Sequence, residues 1–387
     1  MKKIYLPLAL AATLALGACS SDNVVDNGGS NPIDLSKGGF VKMSLNLPTD
    51  NNRGSRAELN DTLKDGLANE YGIKNAYLVL FEGGDDENAA TIKGAYELEN
   101  SDFSNFEAVG DNPNHVTITK RIAFANGTKP QSGRKLFALV VLNNNGLFTV
   151  DANTHKLTFN TSNVSATDYV STPNFINFSK AIASTNTDGE TPFAADVTNN
   201  GIFMTNAPLC TKPGGGTEPG ADAEIKTLAD VTNNIYTTEA KAKSEPAAEI
   251  YVERAVAKVT VQQGTEGKLK ANKGNTASEI SYKLYNWVVD NTNKKSYIVR
   301  QYDKNWNKLY SDKAAGANKY RFVWDTPVNP NANVKLYRTA FAQDPEYKTT
   351  TANADKYNRI ASNASMSPTF GNDHPQYCNE NTFQVTA

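Results

Sequence analysis

Between Phe40 and Pro48 the chain reads FVKMSLNLP, and its apolar side chains fall on every second residue. Val41, Met43, Leu45 and Leu47 alternate with Lys42, Ser44 and Asn46. A period of two belongs to an extended strand with one buried face. Such a strand needs partners along its edges and a second layer over its apolar side, so the chain is committed to a sheet-based core.

Further runs of the same character follow. Asn75–Phe81 is strongly apolar, and the turn residues Gly83–Asp86 bound it. His115–Phe124 alternates, with Val116, Ile118 and Ile122 toward one face. Arg134–Asn143 is continuously apolar and reads as a central strand buried on both sides. Gly201–Ala207, Ile250–Gln262, Ser281–Val289, Tyr320–Trp324 and Val334–Phe341 add more strands. Helical patterns are few: Leu59–Tyr71 places Leu59, Leu63 and Leu67 on one face, Phe175–Ile182 reads as a brief helix or strand, and Phe159–Ser171 reads as loop. A mainly β fold is expected, with two β-sandwich domains of Greek-key, transthyretin-like kind in tandem. Residues 57–210 would form the first sandwich and residues 249–387 the second. The Gly- and Pro-rich stretch that begins at Thr211 and stays polar to Ala248 would be a linker between them or a long excursion from a strand edge.

The N-terminus carries Lys2 and Lys3, an apolar core over Ile4–Leu16 too short to span a bilayer, and then Leu16-Gly17-Ala18-Cys19. Small residues before a cysteine, with Ser20, Ser21 and Asp22 after it, resemble the lipobox of bacterial lipoprotein signal peptides. Residues 1–19 are therefore expected to be a signal peptide and Cys19 the lipidated residue. Residues 20–56 then hold a Ser-, Asn-, Asp- and Gly-rich tether, the first strand, and a polar loop with Arg53 and Arg56. An arginine-bearing loop behind a strand is open to a trypsin-like or arginine-specific protease. Cys210 and Cys378 can pair in an oxidising compartment, although two cysteines do not establish a bridge.

A net charge of -2 leaves no basic footprint for nucleic acid. No cofactor or metal site is expected: His115, His155 and His374 are far apart, no CxxC spacing occurs, and Gly214-Gly215-Gly216 sits between prolines rather than between a strand and a helix. Asp85-Asp86-Glu87 reads as a solvated turn. With no GxSxG elbow the chain reads as a non-enzyme. Trp287 and Trp324 lie in apolar runs and read as core residues, whereas Trp306, in DKNWNK, is the one candidate for contact with a sugar.

Five features in order carry a family resemblance: the segment ending at Cys19, FVKMSLNLP before Arg56-Ala57, GIFMTNA, VERAVAKV at Val252–Val259, and YCNENTF at Tyr377–Phe383. Together they resemble the Bacteroidales fimbrillins (type V pilins), especially the major subunit of the short, minor-type fimbria. The resemblance implies export as a lipoprotein to the outer membrane and cleavage by an arginine-specific protease. The cut would fall between Arg56 and Ala57, or alternatively between Arg53 and Gly54. Cleavage would remove the strand bearing Val41, Met43, Leu45 and Leu47, and a strand from another subunit would fill its place. Partners implied are other fimbrial subunits, the protease, the membrane through lipid before cleavage, and host or bacterial surface ligands. Relatives continue past the YCNENTF match into their donor strand, while here Gln384–Ala387 remain. The chain is thus expected to be truncated, or to be a terminal or anchoring subunit. An uncleaved surface lipoprotein that binds glycans or host proteins is the alternative.

Overall fold

The computed structural model describes residues 38–47, 70, 72–109, 112–123, 133–186, 190–209, 225–262, 267–273, 276–282, 284–303, 338–341, 357–358, 367, 369–371 and 373–380. The chain divides into Met1–Pro32, outside the described residues, and a second unit, Ile33–Ala387, described here by itself. Cys19, Arg53, Gly54, Arg56, Ala57, the Leu59–Tyr71 helix apart from Glu70, Cys210, Gly214–Gly216, Trp306 and Trp324 also lie outside them.

The alternating run becomes β1 (Gly39–Asn46). After it come β2 (Ala76–Gly83), β3 (Thr91–Glu97), β4 (Phe103–Val109), β5 (Asn112–Ile122) and β6 (Lys135–Leu142). Shorter elements follow: the hairpin β7 (Phe148–Val150) and β8 (Leu157–Phe159), β9 (Val164–Ser165), α1 (Thr167–Ser171), α2 (Phe175–Ser179) and β10 (Ile182–Ser184). Next are α3 (Val197–Asn200), β11 (Met204–Asn206), β12 (Ala229–Asp230) and β13 (Ile235–Tyr236). Then come α4 (Glu239–Ser244), β14 (Ala248–Arg254) and β15 (Val256–Val259).

Among the described residues one sheet has ten strands: eight along the path β3-β2-β6-β11-β14-β1-β5-β4, with β12 added on β6 and β13 on β1. The path bends at β14. Its first half, Ala248–Tyr251, pairs with β1, and its second half, Val252–Arg254, pairs with β11. Strands on the two sides of that bend turn their apolar faces to one interior, where Val41, Leu45, Val116 and Ile118 meet Leu78, Leu80, Val140 and Met204. This is a β-sandwich, and the chain is mainly β.

β6 sits where two cores meet. Leu136, Ala138, Val140 and Leu142 enter the sandwich interior, while Phe137, Leu139 and Val141 enter a second cluster on the opposite face. That second core is aromatic: Phe81 meets Phe175 and Phe178 edge-on, and Phe193 stacks on Phe203 with centroids 4.8 Å apart. The β7–β8 hairpin, α1, α2 and a small sheet of β9, β10 and Lys295–Tyr297 cover it. Each short helix is started by a local acceptor where one is available. Asn174 accepts from Asn177 N–H at the head of α2, and Thr238 accepts from Lys241 N–H at the head of α4. Gly201, at φ +71°, lies where any Cβ would collide with the Asn143 amide. That amide in turn joins Lys74 N–H, Gly72 O and Ile202 O, pinning the end of β6 to the approaches of β2 and β11.

Several expectations need correction. The boundary at 248/249 falls inside the sandwich, because Ala248–Arg254 is the strand on which the sheet bends and contributes to the same core. Of the polar stretch taken as a linker, the described part builds β12, β13 and α4 into the sandwich. Within Gly201–Ala207 the strand is Met204–Asn206, and it lies between β6 and β14 inside the sheet. The run Ile250–Gln262 is broken at Ala255, which is fully buried and donates its N–H to Phe203 O, and β15 leaves to pair with Gln376–Asn379. Phe159–Ser171 is not loop throughout but contains β9 and α1. In place of a strand over Ser281–Val289 there is a hairpin of Gly267–Lys273 and Thr276–Tyr282, followed by irregular chain. Trp287 is half-buried there and bridges Ser367, with its indole N–H on Thr369 O, rather than sitting in a core. Beyond β15, Thr292–Asn293 also pairs with Tyr357–Asn358, and Gln301–Asp303 with Arg338–Ala340.

Candidate functional site

The strand singled out by its alternation occupies an interior position of the sheet. Along one edge β1 runs antiparallel to β5 over its whole length, from Gly39 opposite Ile122 to Asn46 opposite His115. Along the other edge it runs antiparallel to β13 at Phe40 and Val41, then parallel to β14 from Met43 to Asn46. Val41, Met43 and Leu45 are fully buried and Leu47 is 2% exposed. At roughly 1.5–3 kcal/mol for each buried side chain, these residues anchor β1 strongly in the interior.

Its other face is polar yet covered. The Lys42 ammonium donates to Lys243 O at 2.9 Å and to Glu245 O, a cation set against the carbonyls that end α4. Ser44, 7% exposed, shares a hydrogen bond with the His115 imidazole, a diagonal neighbour on β5. Asn46 donates from its amide to Ile250 O across to β14. The alternation identified which side chains enter the core. It held no signal for these three polar contacts, because their partners lie at least 71 residues away in sequence, the Ser44–His115 pair being the nearest.

A serine beside a histidine was not expected from the sequence. This pair, with Ser44 buried and His115 half-buried, ties β1 to β5. His155 sits with φ +54° and its ring 4.3 Å from that of Tyr96, and burial holds its pKa below the usual histidine value. His374 is exposed. The acidic turn divides its work: Asp85 pairs with Lys135 at 3.0 Å, Asp86 accepts from Asn88 N–H, and Glu87 accepts from the buried N–H groups of Thr227 and Leu228. Glu87 is 2% exposed, so that part of the turn is structural rather than solvated. Among the described residues no group of three or more His, Cys, Asp or Glu side chains is arranged to hold a metal. No helix among them is long and apolar enough to cross a membrane. Cys378 is half-buried, and burial with Glu380 nearby pushes its thiol pKa up; the expected pairing with Cys210 lies outside the described residues.

The strand's covalent continuation bears on what can happen to it. Residues 48–69, which include both arginines, lie outside the described residues, and Glu70 is the next described position. Glu70 is 1% exposed and accepts from Lys258 of β15 at 2.6 Å and from Tyr377. The chain is thus fixed on both sides of the arginine loop: upstream through β1 and downstream through Glu70.

No family model matches the chain, and no curated protein matches it. Among solved structures, a fimbrial assembly protein from Parabacteroides distasonis ATCC 8503 is similar to 67% of this chain at 13% identity, with a TM-score of 0.29. The match spans 66% of that protein, just under two thirds of its length.

Proposed function

We propose that the chain is a structural subunit of a cell-surface fimbria, in which β1 holds the place of a strand later supplied by another subunit. The observation that carries this reading is the position of β1, paired along both edges and buried through Val41, Met43, Leu45 and Leu47, directly ahead of the loop with Arg53 and Arg56. Losing β1 would open the sheet between β5 and β14, leaving two unpaired backbone edges and an apolar groove. An incoming strand with the same alternation would restore both ladders and refill the interior. In this reading the exported lipoprotein is anchored in the outer membrane through Cys19, and an arginine-specific protease cuts after Arg56, or after Arg53. The assembled fimbria supports adhesion. Cutting alone does not release the strand, because its buried face still holds it, so exchange requires a competing strand.

The test is digestion of the purified precursor with an arginine-specific protease, followed by a fluorescent peptide of sequence FVKMSLNLP. The expected result is a new N-terminus at Ala57 or Gly54 and uptake of the peptide by cut protein alone. Cut protein that neither exchanges β1 for the peptide nor self-associates overturns the reading.

A further inference from the structure

On the opposite side of the β2–β6 sheet from β1, a cavity of about 930 Å³ opens between β3, the β8–β9 segment and α1. Its volume suits a small ligand. Leu157, Phe159, Val164 and Tyr169 of its lining belong to the second core, and the lining includes no residue of β1, β5, β13 or β14. The wall is rich in serine and threonine and contains no aspartate or glutamate. Lys93 and Lys156 supply positive charge, and Lys93 also pairs with Glu82 at 2.9 Å. Leu157 and Val164 form apolar wall, and Val170 stands 79% exposed on α1.

These features define a ligand chemistry. Hydroxyl side chains both donate and accept, which matches a ligand that is itself rich in hydroxyls. Apolar side chains on the wall and rim suit the C–H face of a sugar ring, while Lys156, with no acidic residue in the wall, favours a negatively charged group. We propose that this cavity binds a carboxylate-bearing saccharide, with Lys156 facing the carboxylate and the serine and threonine hydroxyls of the wall exchanging hydrogen bonds with the sugar hydroxyls. The site does not depend on strand exchange and gives the chain a ligand of its own.

The test uses isothermal titration of the intact protein with 3′-sialyllactose, a glucuronic-acid-containing disaccharide, neutral lactose and triglutamate. At least one acidic saccharide is expected to bind about tenfold or more tighter than lactose and triglutamate. Lys156→Ala should remove most of that preference. A Thr161→Trp variant, which fills the cavity from an exposed position, should abolish binding with the circular dichroism spectrum unchanged. Failure of both acidic saccharides to bind at about 10 mM overturns the proposal. Triglutamate binding as tightly, or sugar binding unaffected by Lys156→Ala and Thr161→Trp, does the same. Protein cut in the arginine loop should bind the saccharide as the precursor does, so failure here is distinguishable from failure of strand exchange.

Discussion

Tyr377 donates its phenolic hydrogen to Glu70, a residue 307 positions earlier in the chain. Lys258 of β15 reaches the same carboxylate oxygen, so one buried side chain ties the start of the chain beyond the arginine loop to β15 and to Gln376–Asn379. After a cut in the loop, the downstream segment would remain held to the body at this point while β1 depends on its own ladders and buried face.

Removing the phenolic oxygen tests that tie. Tyr377→Phe deletes a hydrogen bond to a charged acceptor and should lower stability by about 1.5–3 kcal/mol. Urea unfolding should show a lower midpoint with an unchanged slope. A Tyr377→Phe midpoint equal to that of the parent would mean that the contact contributes nothing.

The two faces of β1 should differ in their sensitivity. Leu45→Ala opens a cavity in the sandwich interior and should destabilise by about 2–5 kcal/mol. Asn46→Ala, on the polar face, loses a single 3.3 Å amide contact to Ile250 O and should lose about 1 kcal/mol or less. Equal losses in denaturant titrations of the two variants would contradict the buried register.

Arg300 offers a sharper case. It is 1% exposed, pairs with Glu253 and doubly with Glu380, and lies 4.4 Å over the Phe341 ring. Arg300→Ala leaves two carboxylates without their cation and should cost about 3–5 kcal/mol. Arg300→Lys should recover little of it, because an ammonium cannot reproduce the forked contacts. Thermal melts of the two variants decide the point.

Alkaline pH should also weaken the fold. Burial pushes the Tyr96 and Tyr169 phenols up to about 12, and the Tyr96 hydroxyl donates to Ala123 O at 2.7 Å. Because these pKa values are raised above about 10 for an unfolded tyrosine, their contribution is fully present below pH 10 and is lost as pH rises through about 12. Each is worth roughly 2–3 kcal/mol by that linkage. Absorbance at 295 nm should show these tyrosines ionising late and together with unfolding. Their ionisation near pH 10 with the fold intact would refute the assignment.

Glu87→Ala is expected to free the segment around Thr227. Its carboxylate accepts from Thr227 and Leu228 N–H, both buried, and unpaired amides of that kind cost about 1–3 kcal/mol each. Hydrogen exchange should accelerate at those two amides while β6 stays protected; uniform protection would argue against the anchor.

Much of the sheet was legible beforehand, because alternation is a local property. Val41 to Leu47, Val116 to Ile122 and the doubly buried β6 could be read from side-chain order alone. The bend at β14 could not. Ile250–Gln262 looks like one apolar run, and its break depends on Ala255 being held by Phe203 O, a residue on a distant segment. The stretch near α4 read as linker because a six-residue helix that buries only Ala242 has too little periodic signal to stand out. The Ser44–His115 pair and the cavity beside α1 were invisible for the same reason, since each is assembled from segments that the sequence separates.

The amino-acid order by itself determined that the chain builds sheets, which side chains of β1 and β6 face inward, and where arginines follow the first strand. Those properties come from residue type and a two-residue period, which each segment carries alone. Tertiary structure alone decided that β1 lies between β5 and β14 rather than at an edge, that one sandwich extends across the supposed boundary at 248/249, and that Glu70 meets Tyr377. Pairing, register and charge contacts between remote segments depend on which edges and buried groups find each other when the whole core closes, and no local pattern encodes that choice.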